Sequence, residues 1–407
     1  MPVVVQRKSI TKTVGEAVGT AADKFNELTG GTGHVDLKLK DLFSEAFKHH
    51  SKSEAEKLMI CGTADTTPKL KDVSAAWPKP WVWLRVLAIM LVTWGACIAL
   101  FSVFKNPLAI PSIMFVGSFA APLAIFAFFF ETNAPRNISF IEAIIIFFVG
   151  GIASIIAIYI TNFGLLEASG VGAVDKSLLT GLIEETVKIV IIMFFMRQRK
   201  SNDALLKGSR NYVLNGLLIG AAVGGGFAAF ESAGYAFMNW VDYGFNSMMM
   251  TIVLRGILSP GGHIAWAAVE GAALALCEGK DGFSKSQLWD PRFLAVAITC
   301  IVLHGVWDMT VPFLTGNLVF AKYALLIVAI WIVVGVMMHR GLQQINQLVT
   351  EADEASEEIP LTVSSVAAKA TASTLASTTV TATAATATTA QPATVARDAK
   401  AAAPLTA

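Results

Sequence analysis

Long apolar stretches follow one another along the middle of the chain, and they constrain its fold more than any other feature. A helix that crosses a bilayer core of ~30 Å needs about 20 predominantly apolar residues, and eight stretches qualify or nearly do. They lie near 81–104, 108–130, 138–160, 177–196, 213–237, 259–277, 293–312 and 318–338. This pattern predicts an all-α, polytopic integral membrane protein with about eight transmembrane helices.

The sixth stretch is the weakest of the eight. The sequence Ser259-Pro260-Gly261-Gly262 separates it from a preceding apolar run, MMMTIVLRGIL. That run has the character of a re-entrant or interfacial segment. Seven or nine crossings are therefore also compatible with the sequence.

The scarcity of charged residues agrees with a membrane protein. Of the 407 residues, 54% are hydrophobic and 15% are charged, whereas soluble domains carry roughly 25% charged residues. A chain this apolar would expose large patches in water, which soluble monomers rarely do. The net charge is +1 and predicts no nucleic-acid partner. Composition therefore excludes a soluble globular enzyme and makes the lipid bilayer the expected surroundings.

The basic residues near the membrane predict the orientation of the helices. With the N-terminus inside, thirteen near-membrane Lys and Arg residues fall on the inner side, and only Lys105, Lys176 and Lys322 fall on the outer side. This is a clear positive-inside bias. We therefore expect a multi-pass protein of the cytoplasmic membrane with both termini in the cytoplasm.

The chain divides into three predicted segments. Residues 1–76 form a cytoplasmic soluble N-terminal segment, residues 77–340 form the transmembrane domain, and residues 341–407 form a cytoplasmic C-terminal tail. From about residue 359 the tail is rich in Ala and Thr and contains no aromatic residue. Such a sequence cannot bury enough apolar surface to offset its chain entropy, so we expect it to be disordered.

A few ionisable residues interrupt the apolar stretches in the second half of the transmembrane domain. Groups of this kind at membrane depth are expensive and by default mark a functional cavity. They are Glu184, Glu185, Lys188, Glu231, His263, Glu270, His304 and Asp308. The i, i+3 and i, i+4 spacing of the first three lets the lysine reach either carboxylate. The same spacing lets Asp308 orient the imidazole of His304.

The depth of these residues within the membrane tests more sharply whether they form one site. The four helices alternate in direction, yet each places its main polar residues towards the outer side. Glu184 lies about seven residues inside the outer end of its predicted helix, ~11 Å deep, and Glu231 about six residues, ~9 Å deep. His263 is near an outer start, and His304 and Asp308 are about eight and four residues from an outer end. The sequence therefore predicts one polar site in the outer half of the membrane.

Two kinds of chemistry suit these residue types. Two carboxylates held close together repel each other, so one of them is disposed to act as a base near neutral pH. A glutamate base, a water molecule and histidine donors for a developing oxyanion suffice to hydrolyse an amide. The same Glu and His residues could instead hold a divalent metal such as zinc, which activates its bound water. Spacing leaves both open, because the candidates come from four helices.

The ionisable residues also fall into four short motifs, in order, on consecutive helices. These are E-E-x-x-K at Glu184, Glu185 and Lys188, F-x-x-x-E at Phe227 and Glu231, a single histidine at His263, and H-x-x-x-D at His304 and Asp308. In this order they resemble the PrsW family of intramembrane proteases, within the superfamily of CAAX prenyl endopeptidases and bacteriocin-processing membrane proteins. The resemblance covers roughly residues 80–340 and includes FETNAPRNIS at 130–139. The CAAX branch would have E-E-x-x-x-R and F-x-x-x-H, so a prenylated substrate is not expected.

The resemblance implies an intramembrane endopeptidase that cleaves a membrane-anchored protein, in some members an anti-sigma factor, near the extracytoplasmic face. The catalytic residues it implies are Glu184, Glu185, Glu231, His263 and His304, supported by Lys188 and Asp308. In this interpretation the two adjacent glutamates activate the water, whereas the two histidines stabilise the oxyanion or bind the metal. The family is consistent with metal-dependent and with glutamate-dependent catalysis, and the sequence leaves that choice open.

Two other interpretations assign no proteolysis to the same charges. A non-enzymatic membrane protein, such as an ion- or proton-coupled transporter, a scaffold or an immunity protein, also uses intramembrane Glu, Lys and His. A transporter, however, would place polar residues in both leaflets. In the other interpretation the charges are buried ion pairs that fix helix register, with Lys188–Glu231 and His304–Asp308 as partners. That interpretation explains why the charged residues are paired, but not why they lie at one depth in the membrane.

Overall fold

The computed structural model describes residues 2–165, 173–199, 211–278, 282, 284–311, 314 and 316–358. The regular structure of these residues is helical, as predicted, and no strand occurs among them. The α-helices are α1 (Pro2–Leu28), α2 (Leu39–Phe43), α3 (Lys52–Met59), α4 (Val82–Ser102), α5 (Ala109–Thr132), α6 (Phe140–Ile145), α7 (Gly151–Leu165), α8 (Ala173–Gln198), α9 (Val213–Tyr243), α10 (Phe245–Leu258), α11 (His263–Leu276), α12 (Pro291–Asp308) and α13 (Asn317–Glu358). A π-helical turn at Ile146–Gly150 joins α6 to α7.

Seven helical segments of the described chain are long and apolar enough to cross a membrane. They are α4, α5, α6 with α7, α9, α10 with α11, α12 and α13. The remaining predicted span, 177–196, corresponds to α8, which has 26 residues but carries Glu184, Glu185 and Lys188 near its middle. The protein is therefore an all-α multi-pass membrane protein, and the difference between seven and eight spans comes from the charges of one helix.

The sixth predicted span, 259–277, is wrong as a single crossing helix. α11 has 14 residues, about 21 Å at 1.5 Å per residue, which is shorter than the ~30 Å bilayer core. The preceding apolar run forms α10, and a turn of 3-10 helix at Ser259–Gly261 connects it to α11. Pro260 has no backbone N–H and Gly262 tolerates irregular backbone, so the helix breaks here. Phe245–Leu276 is thus one interrupted segment.

α9 lies at the centre of the bundle, with the whole of its N-terminal half buried. Glycines on one side of α9 let α11 approach closely, since a Cβ on Gly220 would lie 1.9 Å from the carbonyl oxygen of Ala267. On another side, a Cβ on Gly226 would lie 1.8 Å from the carbonyl oxygen of Phe147 in the π-helical turn. Small residues permit this close contact between membrane helices, so the glycines of α9 set its distance from both neighbours.

Residues 1–76 contact the transmembrane helices at several points. Leu42 and Cys61 belong to the main apolar core, and the Cys61 thiol donates to the carbonyl oxygen of Ile138 at 3.4 Å. The guanidinium of Arg85 on α4 donates to two backbone carbonyl oxygens of this segment. The segment also contains the 27-residue helix α1, which the sequence interpretation did not include.

The chain divides into two compact units, Met1–Asp353 and Glu354–Ala407. The helices α1 to α12 belong to the first unit. In the second unit the structure describes the helical residues up to Glu358, where α13 ends. The tail from residue 359 onwards, which we predicted to be disordered, lies outside the described residues.

The packing of α9 against α11 can be tested with Gly220→Val. The added side chain would overlap the backbone of α11, and overpacking of this kind typically lowers the free energy of unfolding by about 1–3 kcal/mol. Gly95→Val on α4 is the matched control, because a Cβ there meets no atom of the described chain within 4 Å. We expect a lower thermal midpoint for Gly220→Val alone, measured by size-exclusion chromatography of heated, detergent-solubilised protein. Equal midpoints for the two variants would contradict this packing.

Candidate active site

Four helices, α8, α9, α11 and α12, bring all seven predicted site residues together around one cavity of about 410 Å³. Five of the seven residues line this cavity: Glu184, Glu231, His263, His304 and Asp308. The other two, Glu185 and Lys188, lie behind them with side chains that are fully buried. The cluster that the sequence predicted from four separate helices therefore exists as one site.

The helix boundaries change the depths that the sequence assigned. α8 begins at Ala173 rather than near 177, so Glu184 lies eleven residues, about 16 Å, from that end. α9 continues to Tyr243, so Glu231 lies twelve residues, about 18 Å, before its end. α12 ends at Asp308 rather than at 312. Counts from the helix ends therefore differ from counts along the apolar stretches, and a common depth within the membrane stays a prediction.

Glu185 connects α8 to α12 from behind the cavity. Its Oε1 atom accepts hydrogen bonds from Lys188 Nζ at 2.7 Å and from His304 Nδ1 at 2.5 Å. The side chains of Glu185, Lys188 and His304 are 0%, 0% and 2% exposed. A carboxylate that accepts from one ring nitrogen fixes the orientation of a histidine and leaves the other nitrogen of a neutral ring as an acceptor or metal ligand. For His304 that nitrogen is Nε2.

Two carboxylate oxygens converge on Nε2 of His304. This nitrogen lies 3.3 Å from Asp308 Oδ2 and 3.7 Å from Glu184 Oε2. Glu184 Oε2 is buried, and no group of the described residues donates a hydrogen bond to it. A nitrogen lone pair and two carboxylate oxygens repel one another, so the arrangement requires a cation between them, either a proton or a metal ion.

His263 is the first residue of α11 and joins the same cluster. Its Nδ1 lies 2.9 Å from Lys188 Nζ and 3.9 Å from Glu184 Oε2. Its Nε2 lies 3.1 Å from Glu231 Oε2, and its ring centroid is 5.0 Å from that of His304. The break before α11 therefore serves the site, because it starts a helix with an imidazole inside the cluster.

Arg255 belongs to the same cluster, although it was not among the predicted site residues. Its guanidinium pairs with Glu231, donates from Nε to the hydroxyl of Ser232 at 2.8 Å, and lines the cavity. It lies on α10, four residues before the helix break at Ser259. An arginine inside an apolar run is a usable signal, but this run was interpreted as re-entrant or interfacial, outside the four helices of the predicted cluster.

The ion pairs differ from those of the register-fixing interpretation. Lys188, which was expected to pair with Glu231, pairs with Glu185 instead. The second expected pair, His304 with Asp308, is present. Carboxylates outnumber lysine and arginine partners around the cavity, which pairing alone does not explain.

Glu270 lies on α11 behind the cavity and is fully buried. Its carboxyl group faces that of Glu185 in the protein interior. Within the described part of the chain, neither of its carboxyl oxygens accepts a hydrogen bond. Glu270 therefore adds a third carboxyl group to the two of the E-E-x-x-K motif, away from the cavity.

Glu184, His263 and His304 can hold a metal ion. One ligand atom from each residue lies within 4.8 Å of the other two. Two histidines and one glutamate form the ligand set of several catalytic zinc sites, in which water takes the fourth position. Glu184 Oε2 is buried and receives no hydrogen bond from the described residues, which supports this fit. The donor set thus fits a divalent metal ion.

A family model described as PrsW family intramembrane metalloprotease matches residues 140–337. Comparison with the curated proteins and with the solved structures gave no match. The matched range contains α8, α9, α11 and α12, and with them all seven predicted site residues. Together with the buried Glu and His cluster, the match identifies a membrane-embedded peptidase.

The residues that the family model matches, 140–337, include all four motifs. This confirms the resemblance drawn from the four motifs and favours the peptidase over the transporter, scaffold or immunity protein. The predicted extent of the resemblance, roughly 80–340, was too wide at its start. Residues 80–139, including FETNAPRNIS, lie outside the match.

Glu185→Gln and Glu270→Gln form a matched pair of substitutions in one buried region. Glu185→Gln leaves the buried ammonium of Lys188 without its carboxylate, which typically lowers the free energy of unfolding by about 3–5 kcal/mol. Glu270→Gln instead supplies an amide donor beside Glu185, so we expect a thermal midpoint equal to or above that of the unchanged protein. Thermal unfolding in detergent measures both, and a larger loss for Glu270→Gln than for Glu185→Gln would contradict these contacts.

Proposed function

We propose that this protein is an intramembrane endopeptidase that hydrolyses a peptide bond of a membrane-anchored protein at the cavity between α8, α9, α11 and α12. The observation that carries the proposal is the convergence of Glu184, His263 and His304 within 4.8 Å at a cavity inside the helix bundle. Clusters of this kind at membrane depth are functional by default. The cavity volume of about 410 Å³ leaves room for water and for a segment of peptide.

Our proposal includes a divalent metal ion such as zinc, held by Glu184, His263 and His304. Such an ion would polarise the scissile carbonyl and supply a water nucleophile near neutral pH. Glu185 fixes the ring of His304 through Nδ1 and is not among the residues that line the cavity. We therefore assign Glu185 as a positioning residue, which revises the expectation that both adjacent glutamates activate water.

Glu231 and Arg255 supply the remaining polar wall of the cavity in this proposal. We assign to the Glu231 carboxylate the transfer of a proton from the attacking water to the leaving amine, a role for which enzymes commonly use carboxylates. The Arg255 guanidinium is 30% exposed and lines the same cavity, so it would stabilise the developing oxyanion. Asp308, 38% exposed beside His304, supports that imidazole.

The substrate in this proposal is a membrane-anchored protein, cut near the extracytoplasmic face of the cytoplasmic membrane. The excess of Lys and Arg in the predicted inner loops supports this orientation. Residues 1–76 and 341–407 would then both be cytoplasmic. An anti-sigma factor is one candidate substrate, by analogy with some family members.

Replacement of cavity residues tests the proposed function. Glu184→Gln and His304→Ala should each reduce cleavage of a membrane-anchored reporter at least about 100-fold, the usual size of a lost catalytic group. His339→Ala is the control, because His339 lies on α13 and does not line the cavity. The reporter and each purified variant are reconstituted in vesicles, and product is measured by gel, with the thermal midpoint as a check of folding. Cleavage retained by both folded cavity variants would refute the assignment.

A further inference from the structure

An apolar groove of about 470 Å³ lies between α7 and α9, beside the candidate active site. Ile152, Ile155 and Tyr159 line it from α7, and Phe230 and Met238 line it from α9. Tyr159 is 70% exposed and Met238 is 54% exposed, so the groove is open at the outer surface of the bundle. In a membrane this surface meets lipid, not water.

The groove and the cavity share part of their lining. Glu184, Glu231 and Tyr235 line both of them. The groove therefore has an apolar outer part and a polar inner end formed by two of the proposed catalytic carboxylates. A lipid acyl chain in this position would place hydrocarbon against carboxylates, which is unfavourable. A polypeptide segment can pack apolar side chains against the walls of the groove, and its backbone N–H groups can donate hydrogen bonds to the carboxylates at the polar end.

Gly234 forms part of the groove on α9 and differs from the packed glycines of the same helix. A Cβ on Gly220 or Gly226 would overlap a neighbouring backbone, whereas a Cβ on Gly234 would meet no atom of the described chain within 4 Å. Packing against the described residues therefore does not explain why position 234 is a glycine. Because glycine has no side chain, it leaves space in the groove beside Tyr235.

A second apolar groove provides an internal comparison. It has a volume of about 380 Å³ and lies between α4, α5 and α10, where Trp94, Gly117 and Gly256 line it. Its lining has no residue in common with the lining of the active-site cavity. Apolar lining by itself thus does not distinguish the two grooves, and only the α7–α9 groove contacts the proposed catalytic carboxylates.

We propose that the α7–α9 groove binds the transmembrane segment of the protein substrate and leads its scissile peptide bond to Glu184 and Glu231. This inference rests on the proposed function and adds the route by which the substrate enters. The occupant is an apolar membrane-spanning polypeptide. Its end nearest the carboxylates must be locally extended, because backbone N–H groups within a helix are already bonded to its own carbonyl oxygens.

Three glycine-to-leucine substitutions test the route. Gly234→Leu fills the α7–α9 groove, Gly256→Leu fills the second groove, and Gly95→Leu on α4 is the control outside both. In each case the added Cβ meets no atom of the described chain within 4 Å, so all three variants should fold. Full-length protein is reconstituted in vesicles with a membrane-anchored reporter. A water-soluble peptide with the same cleavage sequence is assayed in parallel.

We expect Gly234→Leu to slow cleavage of the membrane-anchored reporter about tenfold or more, equivalent to about 1.4 kcal/mol of lost binding. Cleavage of the soluble peptide should stay within about twofold, as should both reactions of the other two variants. Unchanged reporter cleavage by Gly234→Leu, or an equal loss in Gly256→Leu, would overturn the proposed route while leaving the protease intact.

Photo-crosslinking separates this inference from the proposed function. A photoreactive amino acid at position 234 should crosslink to the transmembrane segment of the reporter, and the same amino acid at position 256 should not. If the unchanged protein cleaves neither substrate but position 234 alone crosslinks, the docking site stands and the peptidase proposal fails. Crosslinking at position 256 alone would overturn the docking site.

Discussion

The carboxylate of Glu185 is the contact on which the rest of the site depends. It is fully buried, and it accepts hydrogen bonds from a lysine on its own helix and from a histidine on α12. In a low-dielectric interior an unpaired charge is very costly, so α8 and α12 must stay in this register. The same bond orients Nε2 of His304 towards Glu184 and Asp308. One buried ion pair therefore stabilises the bundle and positions the chemistry.

Close backbone contact between α9 and α11 positions the residues that these two helices contribute to the site. Glycines of α9 allow α11 to approach until a Cβ would overlap its carbonyl oxygens, and the break at Ser259–Gly261 lets α11 begin at His263. In a continuous helix through this region the backbone groups would all be bonded within the helix. His263 would then be an interior residue of that helix and not its first residue. Irregular backbone at membrane depth is tolerated where protein surrounds it or where it lines a cavity, and here it lines the cavity that Glu231 shares.

Much of this arrangement could be predicted from the sequence, and the remainder depends on tertiary contacts. Apolar stretches predicted the helical class, and isolated charges within them predicted the cluster. The partner of Lys188 could not be predicted, because i+3 and i+4 spacing allows either glutamate and only the position of His304 selects Glu185. Arg255 was not included because its apolar run lay outside the four predicted helices of the cluster, and only the fold brings it to Glu231. α8 and α9 extend beyond the predicted apolar stretches, so counts from their ends differ from counts from the stretches.

The central claim is that Glu184, His263 and His304 hold one catalytic metal ion within the membrane. Its most direct test is the metal content of the purified, detergent-solubilised protein, measured by mass spectrometry of the digested sample together with cleavage activity. We predict about one divalent ion per chain in the unchanged protein and in His339→Ala, with none in His304→Ala, and loss of activity on chelation with recovery on adding zinc. Full cleavage by protein that contains no metal would contradict the claim and leave Glu184 as the base.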